Sequence, residues 1–291
     1  MSSSSALAAA LLLLPATLSA GGSALEQLRQ AAGVEAPAVP SPSGTRFCAF
    51  TGGLPAVQGR VHALALTPPE AAAAEQDTAV PVEDAGVLRP EAGAKARALL
   101  QEMLAQSPAS IAASLRAHRV FLVIIPQNKK LTDLPQFSSL RGVRLPGGRV
   151  WDDVRGVGFV SQDDGTVAVA AGEENFLEGA LPDHYPKGFL LAHEFSHAVQ
   201  GYGLSPAEGE SISQAYQDRE AAHLEFPSHY AETDDREYFA VSASSFFDRR
   251  MSGRDPEREI GWIRRNDATM FALLGRAYGT PRPLWTGPGL P

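Results

Sequence analysis

Residues 193–197 read His-Glu-Phe-Ser-His, and this short pattern constrains the chain more than anything else in it. It lies within Gly188–Tyr202, GFLLAHEFSHAVQGY, whose apolar periodicity predicts a helix. On a helix, residues four apart share one face, so His193 and His197 can grip one metal ion together. Glu194 is rotated by about 100° and falls beside that ion, where it can take a proton from a metal-bound water. Leu191, Phe195, Ala198 and Tyr202 recur at helical spacing and predict an apolar stripe on the opposite face, buried against a core. Pro186 suits the first turn, and Gly201 and Gly203 suit a C-terminal stop. Histidines on a helix are ordinarily packing or surface residues; the flanking stop signals and the separation of the two faces favour a metal site here.

A chain of 291 residues can hold one sizeable core plus a small appendage. Net charge is −8 and the only clustered lysines are Lys129 and Lys130, so composition excludes a nucleic-acid footprint. Ala6–Leu14 is nine consecutive Ala and Leu residues followed by PATLSAGG. That run is too short to span a bilayer, so no stable membrane insertion is expected. It fits the apolar core of a secretory signal, with small residues near Ala20 or Ala24 as cleavage points, although the preceding MSSSS lacks Lys and Arg. Residues 1–24 are therefore expected to be a signal peptide and the mature protein to be secreted or held in the cell envelope. Cys48 is the sole cysteine, which excludes an internal disulfide. Its neighbours, Arg46-Phe47-Cys48-Ala49-Phe50, read as a strand with a buried small residue rather than a thiol that caps a metal.

Residues 25–90 are rich in Ala, Pro and Gly, with strand-like patches at Thr45–Thr51 and Val61–Leu66, and read as a small domain, a pro-segment or a linker. Glu91–Arg119 predicts a helix broken at Ser107-Pro108. Val120–Ile125 and Thr166–Ala171 predict buried strands. Ser205-Pro206-Ala207-Glu208 is a capping box that opens a helix to about Leu224. Asp234–Met251 predicts another helix, Asp255-Pro256 opens one or two more reaching Tyr278, and residues 280–291 form a Pro/Gly-rich tail. Strands preceding helices make the body, residues 91–279, an α+β domain.

Catalytic zinc takes three protein ligands and keeps a fourth position open. The metzincin pattern needs Gly and His where this chain has Gln200 and Gly203, so the third ligand must come from another helix. Glu220, His223, Glu232 and Glu237 are the candidates, and Asp234-x-x-Glu237 also reads as a helix cap. The segment FPSHYAETDDREYFA, residues 226–240, together with HEFSHAV, resembles the catalytic domain of anthrax lethal factor and its relatives, which include the Pro-Pro endopeptidases. In that family the HExxH helix is followed by a Tyr and, seven residues later, by the Glu that completes the zinc site, which here fall on Tyr230 and Glu237. WDDVRGVG, residues 151–158, resembles the stretch leading into that family's catalytic strands, whereas Val241 departs from the family's second Glu one turn past its ligand.

The resemblance implies a zincin-like metallopeptidase domain with a small mixed sheet and an active-site HExxH helix. It further implies a single zinc ion on His193, His197 and Glu237, with Glu194 as general base and Tyr230 as an oxyanion donor acting on a peptide or protein substrate. The competing reading is a zinc-binding, catalytically inactive zincin-like module. A structural site closed by a fourth ligand has no use for a base such as Glu194, which weighs against that alternative.

Overall fold

A computed structural model describes residues 47–48, 80–84, 86–87, 89–145, 148–177, 185, 187–249 and 259–284. The expected signal peptide, the Val61–Leu66 patch and most of the C-terminal tail lie outside the described residues.

The continuous apolar run Val120–Ile125 forms β3, an interior strand of a five-stranded sheet, because both of its faces are covered. It pairs in parallel with β2 (Val82–Asp84) on one side and with β5 (Val167–Gly172) on the other. β4 (Gly156–Ser161) returns antiparallel to β5, and β1 (Phe47–Cys48) pairs antiparallel with β4, giving the order β1-β4-β5-β3-β2. Two strands of this small mixed sheet are thus supplied from upstream of residue 91. The connection from β2 to β3 is a pair of helices, α1 (Glu91–Leu104) and α2 (Ala109–Ala117). Pro108 divides them as the sequence predicts, since its extended ψ of 139° cannot continue a helix.

Alternation along the strands divides the apolar side chains into two layers. Leu122, Ile124, Val167, Val169 and Ala171 face the helices, whereas Val123, Ile125, Ala168 and Ala170 face a layer of short turns carrying Leu131, Phe137 and Trp151. In β4 the register shifts between Val157 and Val160. The shift leaves Gly158 and Phe159 both turned to the helical side.

The helical layer is α3 (Phe189–Ala198), α4 (Pro206–Ala221), α5 (Asp235–Phe246), α6 (Ile260–Asn266) and α7 (Ala268–Tyr278). No helix among the described residues is long and apolar enough to cross a membrane. Ser205 and Glu208 form the expected capping box at the start of α4. Two helices stop short of their expected ends: α4 at Ala221, ahead of His223 with φ 52°, and α5 at Phe246, ahead of Asp248 with φ 53°. A residue in the left-handed region breaks the i→i−4 ladder. The expected glycine stop after α3 is instead a π-turn over Val199–Gly203, held by Ser114 Oγ donating to the Tyr202 carbonyl at 2.6 Å. α3 itself is buried along its whole length, so its histidine face is covered as well as its apolar one.

The helices lock together through a buried cluster. Asp267 caps α7 by accepting from Met270 N at 3.0 Å, accepts the Tyr238 hydroxyl from α5, and lies 3.2 Å from Arg219 Nη1 of α4. Both members of that ion pair are nearly inaccessible, and a carboxylate removed there leaves a buried guanidinium without its counter-charge. Asp267→Ala is expected to cost about 3–5 kcal/mol of unfolding free energy. Urea denaturation reads this directly, and an unchanged midpoint would show that the cluster is dispensable.

Candidate metal centre

α3 is fixed at both ends before any ligand is considered. Gly188, at φ 75°, starts the helix, and Asn175 takes up two of its free N–H groups: its carbonyl accepts Gly188 N at 2.9 Å and its Oδ1 accepts Leu190 N at 3.0 Å. In mid-helix, Ser196 Oγ donates to Ala192 O at 2.6 Å and accepts from the Tyr278 hydroxyl of α7 at 2.8 Å. His193 and His197 then project from one face as the four-residue spacing requires. At the start of α5, Asp234 acts as the cap, accepting from Arg236 N at 3.0 Å and Glu237 N at 2.9 Å. The capping role is thus taken, and the Glu237 carboxylate reaches across to α3 instead.

The three donors converge. Glu237 Oε2 lies 3.1 Å from His193 Nε2 and 3.4 Å from His197 Nε2, and the two Nε2 atoms are 3.2 Å apart. Donors about 2.0–2.1 Å from one tetrahedral centre lie roughly 3.3 Å from each other, so the triangle fits a metal of that coordination. His193, Glu194, His197 and Glu237 are all between 0 and 3 % exposed. Burial, more than any neighbour, lowers His193 to about 4, which leaves its ring neutral with a nitrogen lone pair available. Burial alone would raise Glu237, but the adjacent His197 and His193 rings outweigh it and hold the carboxyl at about 2.

Glu194 is the opposite case. Burial first, and the Glu237 charge second, push its carboxyl well above the ordinary range. Neither of its oxygens has a hydrogen-bond partner among the described residues. A buried carboxyl left in that condition is costly, and a divalent cation among the three donors would offset both the repulsion and the missing contacts. His193, His197 and Glu237 are accordingly a group able to hold a metal ion.

The wall over this group is β4. A Cβ on Gly156 would sit 2.5 Å from Glu194 Oε1, and one on Gly158 would sit 2.6 Å from His197 Cδ2. Only glycine lets the strand backbone come so close. Sequence reasoning passed over these two positions, although alternate glycines in GVGFVS, on one face of a strand, signal just such an approach. An aromatic stack runs along the other side: Tyr185 on Phe189 at 5.7 Å, then Phe189 on His193 at 5.8 Å. Tyr230, half-buried on a single 3₁₀ turn with Glu232, has its ring centroid 6.0 Å from that of His193.

The remaining candidates stand apart from the group. Glu220 and His223 are exposed at the end of α4 and just beyond it. Glu232 pairs with His229 at 3.0 Å on the surface. His118 bonds the Ser114 carbonyl at 2.9 Å, and His62 and His184 lie outside the described residues. Val241 is fully buried in the core, so no second carboxylate occupies that turn of α5.

Fold and site together define a mixed α+β domain that buries a His-His-Glu group suited to a metal ion. No family model matches the chain, and no curated protein matches it. Among solved structures it is similar to a Pro-Pro endopeptidase from Paenibacillus alvei, at 20 % identity and a TM-score of 0.45, over 68 % of this chain and 96 % of that one.

Gly158 offers a test of the site independent of any activity. In Gly158→Ala the new methyl meets the His197 ring, and affinity for a divalent cation should fall by about 10–100-fold. Competitive chelator titration measures it; parent-like affinity would show that the strand yields.

Proposed function

We propose that this protein is a zinc-dependent endopeptidase. The observation that carries the reading is the convergence of His193, His197 and Glu237 with a buried, unpartnered Glu194 one residue from the first ligand. Two imidazoles and a carboxylate suit zinc and match the ligand set of hydrolytic zinc sites. Such an ion, when bound, supplies Lewis-acid polarisation of a carbonyl and makes water nucleophilic near neutral pH.

The chain's own residues do the rest. Glu194 removes the proton of the attacking water and delivers it to the leaving amine, a service worth roughly 10²–10⁴-fold. Tyr230, beside the His193 ring, donates its hydroxyl to the oxyanion that develops on the substrate carbonyl, which is worth about 3 kcal/mol. The substrate is a peptide held extended. Gly156 and Val157 pair with Ala171 and Ala170 of β5, and among the described residues with no other strand, so a substrate strand could add along the other side of β4, next to the metal-binding group. The Ala6–Leu14 run and the small residues after it support export to the envelope or beyond.

Purified protein should carry about one zinc per chain. Glu194→Gln should keep that zinc while losing nearly all cleavage of a diverse peptide library, because the base is not a ligand. Glu237→Ala should lose the metal instead. A Glu237→Ala protein that holds zinc like the parent and remains active would refute the ligand set, and a zinc-loaded parent that leaves every peptide intact would make the chain a recognition module.

Tyr230→Phe deletes a donor that matters chiefly in the transition state while keeping the ring. A fall of about 10² in kcat with KM and zinc content unchanged is expected. Single-turnover rates equal to the parent's would reduce Tyr230 to a packing residue.

A further inference from the structure

We propose that Arg155, which touches none of the metal donors, is the positioning residue that sets the Glu194 carboxylate for catalysis. The proposal deepens the peptidase reading and rests on it. Arg155 immediately precedes β4, and all three of its guanidinium nitrogens donate hydrogen bonds. Nε donates to Glu174 Oε1 at 2.7 Å, Nη2 to Glu174 Oε2 at 2.6 Å and to the carbonyls of Ile125 and Pro126 at 3.0 and 3.2 Å, and Nη1 to the Lys129 carbonyl at 2.7 Å. Its own carbonyl accepts Gly172 N at 2.8 Å. One side chain thereby ties the end of β3, the end of β5 and the entry to β4 at a single point. Gly172 is part of the device, since a Cβ there would lie 2.4 Å from Glu174 Oε1 and displace the carboxylate from the fork.

Both ends of this brace lead to the site. On one side the next residue is Gly156, whose missing Cβ makes room for Glu194 Oε1. Among the described residues no hydrogen bond orients Glu194, and the backbone wall at Gly156 limits where its carboxylate can lie. On the other side Glu174 is followed by Asn175, which holds the first turn of α3, and the Glu174 carbonyl accepts Lys187 Nζ at 2.7 Å just ahead of that helix. The Arg155–Glu174 pair therefore fixes the spacing between the strand that walls the base and the helix that carries it. A planar, bidentate fork does this where a lysine's single ammonium cannot.

The test uses the full chain loaded with zinc. Arg155→Lys keeps the charge and loses the fork; kcat should fall about tenfold while KM and zinc content stay at parental values. Arg155→Ala should show a deeper loss of kcat that added methylguanidinium partly restores. Arg119→Lys, which alters a different arginine–carboxylate pair at the opposite end of the same strands, should leave kcat unchanged. Parental kcat in Arg155→Lys would overturn the proposal, as would a loss that only tracks missing zinc or unfolded protein. If the zinc-loaded parent cleaves no peptide, the peptidase reading itself fails. The brace is then read from the visible ligand-field bands of the cobalt-substituted protein, which Arg155→Lys must shift, and unchanged bands overturn it.

Discussion

Everything about the site depends on how closely β4 lies against α3. Four ionisable side chains on and beside that helix are withdrawn from water, and the strand that covers them does so by having hydrogen where other residues have a Cβ. Burying charge is expensive unless it is paired. Here the expense is met unevenly. Burial pushes both carboxyls up, but at Glu237 the two imidazoles outweigh it and hold the group low, whereas Glu194, with no hydrogen-bond partner among the described residues, is pushed further up by the Glu237 charge.

The surrounding fold holds that arrangement with contacts that come from far along the chain. Tyr278, in the last helix, braces Ser196 in the middle of α3. Asn175 starts the helix, and Asp234 frees Glu237 by taking the capping role. The Arg219–Asp267–Tyr238 cluster anchors α5 one residue beyond Glu237, so the position of the third donor is linked to the packing of α4 and α7. Donors placed on helices and walled by a strand are held with less play than donors on loops, which is what a tight coordination geometry requires. Among the described residues, a buried carboxyl without a hydrogen-bond partner breaks a local rule of good folding, and it adjoins the metal-binding group.

Much of this was legible in the residues alone. The HExxH spacing located the helix and its two imidazoles, because helical geometry makes residues four apart neighbours whatever surrounds them. The apolar run at Val120–Ile125, the break at Pro108 and the capping box at Ser205 followed from equally local physics. The limits of α4 and α5 did not, since they depend on His223 and Asp248 adopting left-handed backbone angles that their side chains do not announce.

What the sequence determined, then, is the set of elements and the pair of imidazoles, each fixed by contacts within a few residues. The tertiary structure brought Glu237, rather than Glu220 or Glu232, to the two imidazoles, since a carboxylate 40 residues past His197 becomes a neighbour only when α5 packs across α3. It also decided that both faces of α3 are covered, which no periodicity could reveal, because the cover is a separate strand whose glycines carry no side chain to betray which way they point. Local spacing places donors along one helix, but only packing brings together donors that the chain has separated.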